Sequence, residues 1–162
     1  MGKGGRSHGL GHVRRGEREN IRGGHCISLE YERPALRKRG TDLIQRLAKR
    51  YPLGLAPGSI HRVIDEVLAM QNLRSYFKDI TSSEDVSAPK PSPEIFLLSA
   101  KRLGVPPEKC CVIEDTVNDI KAALAAGITA VAITNTFDAS SLFDAGEDTV
   151  CSNYSAIHSQ FI

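Results

Sequence analysis

The chain holds 162 residues, 41% hydrophobic and 25% charged, enough for one packed core and ordinary for a soluble domain. No apolar run approaches the roughly 18–20 residues that cross a bilayer, so no membrane partner is expected. Residues 1–25 carry Lys3 and five arginines against Glu17 and Glu19, net +4, which leaves net −2 for residues 26–162; a nucleic-acid partner, which asks for a basic stripe on the folded face, is not expected either.

Residues 1–25 also hold eight of the fourteen glycines, with Leu10, Val13 and Ile21 as their only aliphatics besides Met1. Such a segment buries too little to offset its ordering entropy and is expected to be a disordered Gly/Arg-rich tail. His8, His12 and His25 have no cysteine or carboxylate at ligand spacing and read as part of that tail. The four cysteines, Cys26, Cys110, Cys111 and Cys151, show neither C-x-x-C spacing nor the density of a disulfide scaffold, so they are read as reduced and the setting as cytoplasmic.

Residues 26–35 read as a linker or stray strand. Ile27, Leu29 and Tyr31 alternate with Ser28 and Glu30, which suits a half-buried strand and not a central one. From residue 36 the pattern becomes that of a folded core. Leu43, Ile44, Leu47 and Ala48 recur at helical spacing, and a short apolar run follows at 53–56. Ile60, Val63, Ile64, Val67 and Leu68 then form an amphipathic helix stripe, with Ser59 as its simplest N-cap. Ser92 as N-cap, Pro93 at the first helical position and Glu94 in the first turn open another helix through Leu103, closed by Gly104.

Cys110-Cys111-Val112-Ile113 is a continuous apolar run, the mark of a strand covered on both faces. A helix with Val117, Ile120, Ala123 and Leu124 ends at Gly127, a strand spans 128–134, a short helix 140–145 and a strand stub 149–151. Helices alternating with buried strands imply an α/β class: an open, mainly parallel sheet with helices on both faces.

Ligands of open α/β sheets bind beyond the carboxyl ends of the strands. After the 53–56 run come Pro57, Gly58 and Ser59; after 110–113 come Glu114 and Asp115. Adjacent carboxylates at a strand end suit Mg²⁺, a hard cation with oxygen ligands. Equally, Asp115 or Thr116 caps the helix that starts at Val117. Lys90 sits among Pro89, Pro91 and Pro93 and reads either as a fixed cation of the site or as a solvated surface lysine; Asp119 reads as a helix-face carboxylate.

Ala88-Pro89-Lys90-Pro91-Ser92-Pro93-Glu94-Ile95-Phe96, then Leu103-Gly104-Val105-Pro106-Pro107-Glu108-Lys109-Cys110, Val112-Ile113-Glu114-Asp115 and Ala122-Ala123-Leu124-Ala125-Ala126-Gly127 together resemble the third and fourth motifs of the haloacid dehalogenase superfamily. The nearest branch is that of beta-phosphoglucomutase and phosphoglycolate phosphatase. The resemblance covers residues 36–162 and implies a Rossmann-like core that performs Mg²⁺-dependent phosphoryl transfer on a small phosphorylated metabolite. It implies that Lys90 neutralises phosphate and nucleophile as a catalytic and phosphate-binding residue, that Glu114 and Asp115 hold Mg²⁺, and that Asp119 matches an extra acid found in some members.

Two positions depart from the pattern. Where the family has a phosphate-binding Ser or Thr, this chain has Pro57, which lacks a hydroxyl and an N–H; Gly58 and Ser59 substitute only in part. The family's nucleophile, the first Asp of an hhhDxDxT-like motif on the first core strand, has no counterpart, since the first aspartate here is Asp42. The chain is therefore expected to be truncated at its N-terminus, to lack the first strand and the cap, to bind Mg²⁺ weakly or not at all, and to be inactive alone. Unpaired edges inside the sheet would then favour self-association. Two other readings stay open: a catalytically silent remnant acting as a binding or interaction module, and a wrongly placed start in which residues 1–25 are joined to a truncated gene.

Overall fold

The computed structural model describes residues 27–29, 37–134, 141–142, 144–146, 149–154 and 156–157. The expected tail at 1–25 and Glu30 lie outside these residues, as do 140 and 143 of the expected 140–145 helix, of which 141–142 are helical and 144–145 lie in a turn. Among the described residues the elements are, in chain order, β1 (Ile27–Leu29), α1 (Arg37–Leu47), β2 (Leu53–Leu55), α2 (His61–Gln71), β3 (Phe77–Ile80), α3 (Glu94–Leu103), β4 (Cys111–Glu114), α4 (Val117–Ala125), β5 (Thr129–Ile133) and β6 (Thr149–Cys151). Short 3₁₀ turns stand at 74–76, 83–85 and 107–109.

The strands form one sheet in the order β3-β2-β1-β4-β5-β6, every pair parallel. The α/β class is as the sequence implies, but its centre is not. The sequence pattern of residues 26–35 implies a linker or stray strand at most, with a gap where the first core strand belongs. Instead β1 fills that place: Ile27 pairs with Leu53 on one side and Cys111 on the other, and Leu29 pairs with Ile113. The alternation of 27–31 argues against a central strand, yet three residues need only supply backbone N–H and C=O groups to both neighbours to bridge them. With β1 in place, the expected unpaired edges inside the sheet are absent among the described residues.

Parity along the central strands builds two core layers. Cys111, Ile113, Val131 and Ile133 pack with Leu43, Ile44 and Leu47 of α1 and Ile64 and Leu68 of α2. Val112, Ala130 and Ala132 face the other way, onto Ile95, Phe96 and Ala100 of α3 and Ile120, Ala122 and Ala123 of α4. Alternation with a period of two on a doubly covered sheet produces this division. Gly54 of β2 lies close under α3: a Cβ there would lie 2.7 Å from Ser99 Oγ and 3.0 Å from Leu103 Cδ1.

Several local expectations shift. Ser59 does not cap α2; the N-cap is Ile60, without a side-chain hydrogen bond. In the α2 stripe only Ile64 and Leu68 are buried, while Ile60 and Val63 stand 40% and 39% exposed. Ile60 precedes the helix in extended backbone, so the periodicity does not carry it to the core face. Helix α3 begins one residue later than expected, with Pro93 as N-cap and Ser92 Oγ accepting from Glu94 N at 3.4 Å. Cys110 is disulfide-bonded, against the expectation of reduced cysteines, whereas Cys111 and Cys151 are buried in the core. No helix among the described residues is long and apolar enough to cross a membrane.

Candidate functional site

Because all strands run the same way, the residues after β2, β3 and β4 emerge at one edge of the sheet. Glu114 ends β4 fully buried, and Asp115, which follows it, is half-buried. Glu114 has the parity of Val112 and so belongs to the α3/α4 side. Thr116, and not Asp115, caps α4, its Oγ1 accepting from Asp119 N at 3.3 Å. That cap places Asp119 in the first turn of α4, 5% exposed.

Lys90 is not a solvated surface lysine. Its side chain is 8% exposed, and Nζ lies 3.2 Å from Asp119 Oδ1 and 3.5 Å from Glu114 Oε1. The ammonium also stands 4.8 Å from the ring centroid of Phe96, within cation–π range. In the sequence, Phe96 has only a place on an apolar helix face; no local spacing signals that Lys90 lies over its ring. The arm that delivers Lys90 is fixed from α3. Both Glu94 carboxylate oxygens accept from Ser87 N at 3.1 Å, and Oε2 accepts from Ala88 N at 3.0 Å. Those N–H groups, with the Ser87 hydroxyl, hold the Glu94 carboxyl below its ordinary pKa.

Gly58 and Ser59 lie in the loop after β2, at the same edge, two strand spacings or about 10 Å from the end of β4. Gly58 is exposed, with open space where a Cβ would project. Pro57 is buried. The structure therefore brings Lys90, Glu114 and Asp119 into direct contact and sets Asp115, Gly58 and Ser59 along the same rim.

The expected Mg²⁺ site fits less well. Among the described residues, no three of His, Cys, Asp or Glu are grouped so as to hold a metal ion. Of the three acids, Glu114 and Asp119 are engaged by the Lys90 ammonium. The donors are of the right type but do not form a complete coordination shell among the described residues.

A second polar cluster has no signature in the local sequence. Strand β3 carries Asp79 at an inward position, 8% exposed, where an apolar residue would have announced the strand. Its Oδ2 accepts from Thr81 Oγ1 and from Ser99 Oγ, both at 2.7 Å. Arg102 of α3 lies 3.9 Å from Asp79 Oδ1 and donates to Asp85 Oδ1 at 3.1 Å. Asp85 Oδ2 accepts from Ser82 N at 2.7 Å and lies 2.9 Å from His61 Nε2. The Arg102 guanidinium, then the Ser82 N–H, hold the Asp85 carboxyl far below the ordinary carboxylate range, and Arg102 is raised in turn.

An open parallel sheet with a buried lysine between two acids at its carboxyl edge defines a class of α/β protein whose ligands bind beyond the strand ends. The model of the haloacid dehalogenase-like hydrolase family matches residues 13–127, and the chain belongs to that family. It is 39% identical over 90 residues to fructose-1-phosphate phosphatase YqaB of Escherichia coli, covering 56% of this chain and 48% of that protein. It is 36% identical over 87 residues to phosphoglycolate phosphatase of Escherichia coli, covering 54% of this chain and 34% of the relative. Among solved structures, a hydrolase from Pseudomonas syringae superposes with a TM-score of 0.69 at 26% identity, covering 77% of this chain and 62% of that one. A beta-phosphoglucomutase from Clostridium difficile gives 0.63 at 26% identity, covering 75% and 54%. The chain thus spans about half the length of the curated relatives it matches or less.

Proposed function

We propose that this chain is the phosphate-holding part of a phosphatase or phosphomutase core that acts on a small phosphorylated metabolite. The observation that carries the reading is Lys90: a buried ammonium, 3.2 Å and 3.5 Å from two carboxylates at the carboxyl edge of the sheet, in the segment that matches the family. An ammonium held there offers a fixed positive charge to a phosphoryl group without the cost of ordering a mobile side chain. The N–H groups of Gly58 and Ser59, close to the start of α2, add donors on the same rim, where a helix N-terminus favours anions.

Phosphoryl transfer through an aspartyl-phosphate needs a carboxylate nucleophile. None of the nine aspartates, at 42, 65, 79, 85, 115, 119, 138, 144 and 148, stands in an hhhDxDxT-like context. In a serine protease, loss of the covalent nucleophile costs about 10⁶ in kcat, and a loss on that scale is expected of a phosphatase core that lacks its own. By itself, then, the chain binds phosphate and does not turn it over. The test is calorimetric titration with inorganic phosphate beside hydrolysis of an aryl phosphate with Mg²⁺. Binding that Lys90→Met removes, without turnover, is the expected result. Metal-dependent turnover that depends on Lys90 and Asp115 would overturn the inactivity, and no phosphate binding at all would overturn the site.

A further inference from the structure

Two loops meet at the rim, and one carboxylate joins them. The β2–α2 loop carries Gly58 and Ser59; the segment between β3 and α3 carries Lys90. Ser83 N donates to Ser59 O at 3.0 Å, and His61 N donates to Glu84 Oε2 at 2.8 Å. Between these backbone contacts lies Asp85, which touches three separate parts of the fold. Its Oδ2 accepts from Ser82 N at 2.7 Å and lies 2.9 Å from His61 Nε2, the first residue of α2. Its Oδ1 accepts from Arg102 Nη2 of α3 at 3.1 Å.

We propose that Asp85 is a positioning residue for the phosphate site: by joining His61, Ser82 and Arg102 it fixes the loop of Gly58 and Ser59 against the segment that delivers Lys90. This rests on the reading of Gly58, Ser59 and Lys90 as phosphate-binding residues. Asp85 is not assigned any contact with the anion; it sets the distance between two groups that share it. The chain of restraint is continuous in both directions. Toward Lys90, the residues just after Asp85 are held by Glu94, which accepts from Ser87 N and Ala88 N. Toward Ser59, the carbonyl is held by Ser83 N within the 3₁₀ turn whose capping box is closed by Ser82 and Asp85. Arg102 anchors the junction to α3 and to the end of β3, reaching Thr81 Oγ1 at 3.4 Å. The titratable and charged groups facing the junction are His61, Glu84, Arg102 and the buried Asp79. The Asp85 carboxylate touches both His61 and Arg102, so removing its charge loosens both sides together.

The experiment compares the full chain with Asp85→Asn, Asp85→Glu and His61→Ala, reading amide hydrogen exchange and the affinity for inorganic phosphate. Asp85→Asn is expected to speed exchange at the His61 and Ser83 amides by about tenfold, with Val112 and Val131 unchanged, and to weaken phosphate binding about tenfold. Asp85→Glu, which keeps the charge, recovers part of that affinity, which a merely space-filling role would not require. If Asp85→Asn fails to fold, His61→Ala, at a half-exposed side chain, is read in its place. Unchanged exchange at His61 and Ser83, or unchanged phosphate affinity in Asp85→Asn, overturns the proposal. Faster exchange in a protein that binds no phosphate even unaltered supports the restraint by Asp85 and overturns the phosphate reading instead.

Discussion

Replacing Lys90 with Met keeps much of the stem and the packing on Phe96 but removes the ammonium from between Glu114 and Asp119. The Glu114 side chain is fully buried, and those of Lys90 and Asp119 are 8% and 7% exposed, so the loss falls in a desolvated site. At an effective dielectric constant of about 20, each contact at the observed 3.2 Å and 3.5 Å is worth roughly 5 kcal/mol before desolvation. Burying the three charged groups offsets most of that. What remains after truncation is two carboxylates without their cation, a situation that costs about 3–5 kcal/mol. Loss of the contact with the Phe96 ring adds to it. For a chain of this size the change corresponds to a fall in Tm of roughly 6–20 °C. Urea unfolding at pH 7, followed by far-UV circular dichroism, measures it directly. The double variant Lys90→Met with Glu114→Gln should recover part of the loss, because one orphaned charge is gone. A destabilisation below about 1 kcal/mol, the range of exposed pairs, would refute the view of Lys90 as a buried, paired cation.

Three further outcomes are expected elsewhere in the fold. Gly54→Ala forces a Cβ to within 2.7 Å of Ser99 Oγ and should cost about 1–3 kcal/mol by overpacking, measured by the same denaturant titration. Asp85 has its folded pKa lowered, so its contribution is full above the ordinary carboxylate range and fades as pH falls through and below it; the stability gap between the native chain and Asp85→Asn should shrink below about pH 4. Burial raises the Cys151 thiol to about 11, so its labelling by a maleimide at pH 8 should be at least about 100-fold slower in the folded chain than in urea, from thiolate fraction alone.

Much of this architecture is legible in the sequence because it rests on local rules. Buried strands announce themselves as apolar runs, which place β2, β4 and β5 within a residue or two, and Gly104 and Gly127 mark helix ends through their positive φ. What escapes depends on partners far away in sequence. Strand β3 is hidden because Asp79 interrupts its apolar side, and part of what satisfies that acid, Ser99 and Arg102, comes from twenty or more residues later. The central place of β1 is hidden for a related reason: centrality is a property of the neighbours' backbones, and Ile27-Ser28-Leu29 says nothing about them. Ser59 looks like a cap because its side chain suits one, yet the helix starts at His61 and its first N–H is taken by Glu84. At the site, the residue types of Lys90, Glu114 and Asp119 are readable, but the burial that turns a lysine from a surface group into a fixed charge is not.

The division of β4 between two core layers also determines which genetic lesions this rim tolerates. Residues 105–109 lie ahead of the strand, and a codon gained there is absorbed by a loop and a 3₁₀ turn before the ladder begins. A codon gained inside Cys111–Glu114 rotates everything after it to the opposite layer. Glu114 then points toward α1 and α2, away from Lys90, and the residue before it takes its slot on the α3/α4 side. In a library of single-residue insertions, tolerance should therefore drop abruptly at Cys111, a boundary set by the pleat and not by distance from the site.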